Sequence, residues 1–382
     1  MSFIISATFA SVMTNIGYII VAIIGLMIMI VIHELGHYLA GKALGFKIDE
    51  FAIGFGPRIF KHTSKKTGEI FSIRPLPLGG FCAFHGEDDD INDPGAFNNQ
   101  KPWKRLIVQA AGAVFNFLSG IFIITLFFSI YGQPLPVIVA IHEDGAAYAE
   151  NTFQFGDAVL SIDGKLTQIL MPEDVAAAFA KAGDTARFKV LRHTFDADGN
   201  ITSAKVVEFT AHKSDFSFEK IIYDEDGVTE IGRETQTAYG FGISQGLAYV
   251  KLPFFKALGR SFPYAFFLVF KILAMLGALV TGKTALSGAG GTITAVRTVA
   301  EVSKVGFHGF MWALCILSAN LAVMNLLPFP ALDGSRMVFT LIEMIFKKPV
   351  PRKVEAAIHT VGLVVLILLV VFLDVFNLVS SA

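Results

Sequence analysis

His33-Glu34-Leu35-Gly36-His37 is the segment whose residue types and spacing could do chemistry. On a helix, two histidines four residues apart differ by only about 40° around the axis, so both imidazoles can face one metal ion. Glu34, beside the first of them, is placed to take a proton from a water molecule, which is the arrangement of a metal-dependent peptidase. Zinc is the default metal for such a set. No Asp, Glu, Lys or Arg occurs from Met1 to Ile32, so the motif closes an apolar run long enough to cross a bilayer. Two imidazoles and a carboxylate in or beside such a span are costly unless they pair or bind something.

A second polar feature answers the first. Asn325-Leu326-Leu327-Pro328-Phe329-Pro330-Ala331-Leu332-Asp333-Gly334 ends another apolar run, and Asp333 is a carboxylate at the membrane boundary with no basic residue beside it. Catalytic zinc usually takes three protein ligands and leaves one position for water, so Asp333 could be the third ligand. His308 and His359, also next to apolar segments, read as packing or interfacial residues.

The elements that must position these groups are membrane helices. Of 382 residues 53% are hydrophobic and 16% charged, with a mean hydropathy of +0.59, more apolar surface than a water-soluble core of that size needs. A net charge of -1 argues against a nucleic-acid partner. Cys82 and Cys315 lie far apart in unlike surroundings and read as free thiols. Four stretches reach the roughly 20 residues a span requires: Asn15 to Leu39, Leu106 to Ile130, Val305 to Leu327 and Ala356 to Phe376. The first lacks the basic start of a cleavable leader and is expected to be retained.

Basic residues set the orientation. The loop between the first two spans is rich in Lys and Arg, and the loop between the last two holds Lys347, Lys348, Arg352 and Lys353. The positive-inside rule puts both loops in the cytoplasm and both termini outside, so Tyr131 to about Lys251 is extracytoplasmic. Within it, Val137 to Lys213 shows short β-rich runs around an Ala-rich helix near Asp174 to Ala182, enough for one small α/β domain. Ser214 to Tyr239, rich in charge and turn residues, reads as a linker. The expected division is therefore 1–130 for the first membrane part, 131–213 for the soluble domain, 214–304 for a linker and membrane-associated helix, and 305–382 for the second membrane part.

These motifs together resemble a known family. Gly156-Asp157-Ala158-Val159-Leu160-Ser161-Ile162-Asp163-Gly164 resembles the signature of PDZ domains, which bind extended peptides by strand addition. The HELGH helix, the Asn325-to-Gly334 motif and a PDZ-like domain between them resemble the site-2 protease family of intramembrane zinc proteases, in the bacterial branch known as regulator of sigma-E protease. Glu50-Phe51-Ala52-Ile53-Gly54-Phe55-Gly56-Pro57 and Pro77-Leu78-Gly79-Gly80-Phe81 look like that family's membrane-re-entrant β-hairpin, and Ala110 to Phe117 like the approach to its second span. Ala113 and Ala289 stand where prolines are expected.

The resemblance implies a multi-pass α-helical membrane protein with four spans, a membrane-embedded β-hairpin and one extracytoplasmic PDZ-like α/β domain, in a bacterial inner or cytoplasmic membrane. It implies Zn2+ held by His33, His37 and Asp333, Glu34 as general base and Asn325 near the substrate. The substrate would be a transmembrane protein or peptide cut in or near its membrane segment, such as a pre-cleaved anti-sigma factor or a remnant signal peptide.

Two other functions compete with this one. Gly277-Ala278-Leu279-Val280-Thr281-Gly282-Lys283-Thr284 matches the phosphate-loop pattern, but that loop needs a preceding strand, and Phe254 to Val280 reads as an amphipathic or partly embedded helix, so no nucleotide partner is expected. A scaffold that only presents its PDZ-like groove would have no use for Glu34 as a general base.

Overall fold

The computed structural model describes residues 2–87, 93–167, 172–195, 201–223, 230–282 and 290–380. The chain forms two compact units, one of Met1–Phe127 with Leu268–Ala382 and the other of Phe128–Phe267.

In the first unit, α1 (Ser2–Leu44) runs past the HELGH motif and stops at Gly45. There φ is +81° and Phe46 N–H donates to the Gly41 carbonyl at 2.9 Å, a glycine-terminated helix end. A four-stranded sheet follows, made of β1 (Ile48–Phe55), β2 (Phe60–Thr63), β3 (Ile70–Ile73) and β4 (Leu76–Phe84) in the order β2-β3-β1-β4. Strand β1 pairs parallel with β3 and antiparallel with β4, matching Ile53 with Gly80 and Phe51 with Cys82. This corrects the expected hairpin. The extra strands are only four residues each, and β2 carries Lys61 and His62 with no buried side chain, so neither shows a hydrophobic alternation. The buried Glu50 carboxylate holds the sheet together, accepting from Arg58, Arg74 and Ser72 at 2.5 to 3.1 Å.

Helix α2 (Pro102–Ile130) opens with proline in the first turn, where a missing N–H costs nothing. The second unit then contains β5 (Gln133–Ile141), α3 (Ala146–Ala149), β6 (Ala158–Ile162), β7 (Lys165–Leu166), α4 (Pro172–Lys181), β8 (Thr185–Phe195), β9 (Ile201–His212), β10 (Ser214–Tyr223), β11 (Glu230–Gly240) and β12 (Ile243–Val250). Its main sheet has the order β12-β5-β6-β8-β9, with β7 on β6, over a core that includes Ile138, Phe153, Val159, Phe179, Phe188 and Phe241. The described residues of the expected linker 214–239 are therefore strand. Strands β10 and β11 form a paired ribbon, and β12 completes the sheet beside β5. Both faces of the ribbon are largely solvated, so polar or charged residues occupy most positions of β11 and the pattern of a half-buried strand is missing.

Helix α5 (Phe254–Val280) is followed by α6 (Thr292–Ser303), α7 (Phe307–Leu326), α8 (Asp333–Phe346) and α9 (Arg352–Ser380). Lys283, Thr284 and Ala289 lie outside the described residues; what precedes Lys283 is helix, not the strand a phosphate loop needs. Five described helices are long and apolar enough to cross a membrane: Thr14–Leu44, Pro102–Ile130, Phe254–Val280, Phe307–Leu326 and Arg352–Val379. Helix α9 exposes Val361, Leu368 and Phe372, each more than half accessible, a face suited to lipid and not to water.

Helix α1 packs on α6 and α7, with Met29 against Leu314 and Leu317. Asp374, a carboxylate inside apolar α9, accepts from the backbone N–H groups of Gly291, Ile293 and Thr294 and from the Thr294 hydroxyl at 2.8 to 3.1 Å. It thereby caps α6 and satisfies donors that would otherwise be orphaned at that helix start.

Candidate metal centre

Two helices of the first unit bring the candidate ligands together. Helix α1 supplies His33 and His37 one turn apart, and α8 supplies Asp333 as its first residue. The turn before α8 depends on Leu327, extended before Pro328 so that α7 ends there. It also depends on Gly334, where a Cβ would stand 2.3 Å from the Leu327 carbonyl oxygen. A carboxylate in the first turn of a helix is favoured by the partial positive charge of that end.

His33 Nε2 lies 3.0 Å from Asp333 Oδ2, His37 Nε2 lies 3.3 Å from the same oxygen, and the two Nε2 atoms are 3.1 Å apart. A tetrahedral ion with bonds of 2.0–2.1 Å would hold its ligands about 3.3 to 3.4 Å apart, so this triangle is close to the size of one face of such a site. Both histidines are buried. The His37 Nδ1–H donates to the Val108 carbonyl of α2 at 2.7 Å, which leaves the Nε2 lone pair for a metal.

Helix α2 closes the site from behind. A Cβ at Gly112 would stand 2.4 Å from His37 Nε2 and 2.7 Å from His33 Nε2, and one at Gly36 would stand 2.5 Å from the Ala111 carbonyl oxygen. The close crossing of α1 and α2 therefore needs glycine on both sides. Asn116, fully buried on α2, points its Nδ2 at His33 Nδ1 at 3.3 Å, and its own Oδ1 has no hydrogen-bond partner. If His33 gives Nε2 to a metal, its proton sits on Nδ1. A half-turn of the Asn116 amide then lets Oδ1 accept that proton, satisfying the orphaned oxygen. The donor set and this second contact both fit a zinc ion.

Glu34 and Asn325 line the same cavity of about 280 Å³ as His33 and Asp333. Asn325, one residue from the end of α7, brings its Nδ2 to 3.4 Å from His33 Nδ1. On the other side of Glu34 runs β4, where a Cβ at Gly80 would lie 3.3 Å from Glu34 Cγ. Helix α8 is tied down by an Arg105–Glu343 ion pair of 2.5 Å, by Thr340 donating to Gln109 at 2.9 Å and by Arg336 pairing with Glu87. Four of the five residues singled out from sequence thus line one cavity, and the fifth, His37, adjoins it through His33 and Asp333. Sequence reasoning missed Gly112 and Asn116. An amide in the middle of an apolar helix, four residues after a glycine, was the available signal.

An apolar multi-helix chain that gathers such donors belongs to the class of membrane metallopeptidases. Residues 21–369 match the family model of peptidase family M50, and the chain belongs to that family, the site-2 proteases. It is 31% identical over 364 residues to a protein of Clostridium perfringens named "putative zinc metalloprotease", covering 95% of this chain and 98% of that protein. A Bartonella henselae protein of the same name is 28% identical over 364 residues, with 92% of this chain and 98% of the relative covered. The chain is accordingly an integral membrane zinc metallopeptidase.

Proposed function

We propose that the chain hydrolyses peptide bonds in or next to transmembrane segments of other membrane proteins, with zinc held by His33, His37 and Asp333. The convergence of His33 Nε2, His37 Nε2 and Asp333 Oδ2 at 3.0 to 3.3 Å, beside a cavity that Glu34 lines, carries this reading. Bound zinc supplies Lewis-acid activation of water and of the scissile carbonyl. Glu34 takes the proton of the attacking water and delivers it to the leaving amine. Asn325 donates its amide N–H to the substrate backbone or the developing oxyanion.

A helical substrate hides its carbonyls in its own hydrogen bonds and must be unwound first. Strand β4 is suited to this, because it is an outer strand of its sheet, pairs there only with β1 among the described residues, and passes Glu34 at Gly80. An extended substrate laid along its free edge gains the main-chain bonds it lost as a helix. The second unit acts as a PDZ-like selector outside the bacterial inner or cytoplasmic membrane, and pre-cleaved anti-sigma factors or remnant signal peptides are the substrates proposed.

The test is cleavage of transmembrane peptides by the full-length protein in lipid vesicles, with products sequenced by mass spectrometry. Cuts within or beside the apolar stretch, abolished by a zinc chelator and restored by zinc, are expected. Zinc-loaded protein that leaves every such peptide intact while cutting water-soluble ones would overturn the reading.

A further inference from the structure

Ala331, two residues before Asp333, has φ of +78°, a left-handed conformation that L residues with a Cβ rarely adopt. Something outside the loop must hold it there. Helix α9 touches the loop on two successive turns. The Ala331 N–H donates to His359 Nδ1 at 3.2 Å, and Gly362, three residues further along, lies so close to Pro330 that a Cβ there would stand 2.0 Å from Pro330 Cβ. The His359 ring also packs edge-on against Phe339 of α8, the helix that Asp333 begins, with centroids 5.6 Å apart at 67°.

We propose that His359 and Gly362 form a seat on α9 that positions the loop carrying Asp333, and so tune how tightly the metal is held. The inference rests on the metal centre proposed above. Each contact has a chemical reason. In an apolar setting the Ala331 N–H needs an acceptor, and Nδ1 of a neutral imidazole provides one. That tautomer puts the ring proton on Nε2, which is buried without a hydrogen-bond partner among the described residues, the Glu355 carboxylate standing 3.9 Å away. Glycine at 362 lets the helix backbone approach the Pro330 ring directly, which clamps the chain on the near side of Ala331. With both contacts in place the left-handed turn is over-determined, and Asp333 Oδ2 is delivered to the two Nε2 atoms without a search through other loop conformers. His359 and Gly362 are positioning residues, with no contact to the metal site itself.

The experiment measures zinc affinity of the full-length protein in detergent by competition with a chromophoric chelator, for the unmodified chain and for His359→Leu, His359→Asn, Gly362→Ala and His33→Ala. Loss of a hydrogen-bond partner of a metal ligand typically lowers affinity about 10- to 100-fold; His359 and Gly362 act one step further out, through the loop, and a drop of about 10-fold is expected for His359→Leu and Gly362→Ala. His359→Asn, whose Oδ1 stands near the place of Nδ1, should bind nearly as the unmodified chain does. This rescue is a result that a merely space-filling role would not produce. Unmodified affinity in both His359→Leu and Gly362→Ala, with binding lost in His33→Ala, overturns the seat and leaves the metal centre standing. Zinc binding that is indifferent to His33→Ala sinks the metal centre and the seat with it. Should His359→Leu not fold, Gly362→Ala against His359→Asn gives the same decision.

Discussion

Gly112 of α2 faces His37 of α1 so closely that a methyl group on the glycine would stand 2.4 Å from the imidazole Nε2. Backbone, not side chain, forms the rear wall of the metal centre. Gly112→Ala should therefore push both imidazoles out of register, lowering bound zinc and cleavage together, with the overpacking itself costing about 1–3 kcal/mol. Metal analysis of the purified variant checks this; a full complement of zinc at the unmodified rate would mean that α2 can retreat.

Glu34→Gln should keep its zinc and lose proteolysis, because the ligand triangle stays while proton transfer goes. Removing a general base typically costs about 10²- to 10⁴-fold in rate. Comparing metal content with turnover separates the two effects. A variant that still cuts at the original rate would take Glu34 out of the mechanism.

Asp333→Ala should lower zinc occupancy and activity alike, since only two protein ligands would remain. Asp333→Asn should disturb folding less, for its amide still fits the first turn of α8. Were Asp333→Ala to bind zinc and cleave normally, the third ligand would have to come from elsewhere. His359 is then excluded by its place, since its Nδ1 is committed to the Ala331 N–H.

What could be read from sequence divides along physical lines. His33, Glu34 and His37 were legible because a helix fixes their relative angle, and Asp333 because an unpaired carboxylate at a membrane boundary demands a purpose. Gly112 was not, since a glycine in a membrane helix advertises close packing but not against what. The β10–β11 ribbon escaped because a strand wet on both faces has no alternation to detect, and β12 because its partner β5 lies about a hundred residues earlier. His359 read as a packing residue; only the fold brings it to Ala331.

The second unit should select substrates without taking part in catalysis. Cutting it out at Val137 and Lys213, as sequence alone suggests, would strand β12 without β5; the structure places the cut at Gln133 and Val250. Those two residues are paired neighbours in an antiparallel ladder, only about 5 Å apart, so a short linker can close the gap. The shortened protein should cleave substrates with larger ectodomains than the intact one accepts. Complete inactivity in a well-folded deletion would assign the domain a part in the chemistry.

The contact between His33 and Asp333 also constrains how α5 lies in the membrane. His33 is near the C-terminal end of α1 and Asp333 follows the C-terminal end of α7, so both helices must cross in the same direction. That requires an odd number of crossings between them. Helix α2 supplies one. If α5 also crossed, α7 would be reversed and Asp333 left up to about 30 Å away, unless another segment crossed as well. Helix α6, at 12 residues, spans only about 18 Å and cannot. Helix α5 should therefore lie along the extracytoplasmic interface despite its apolar length, with Arg260 and Lys271 reaching headgroups. Single cysteines at Lys251 and Lys304, in a chain whose Cys82 and Cys315 have been replaced by serine, should both react with an impermeant thiol reagent added outside. Reaction of only one of them from that side would establish a crossing and break the metal centre assembled from α1 and α8.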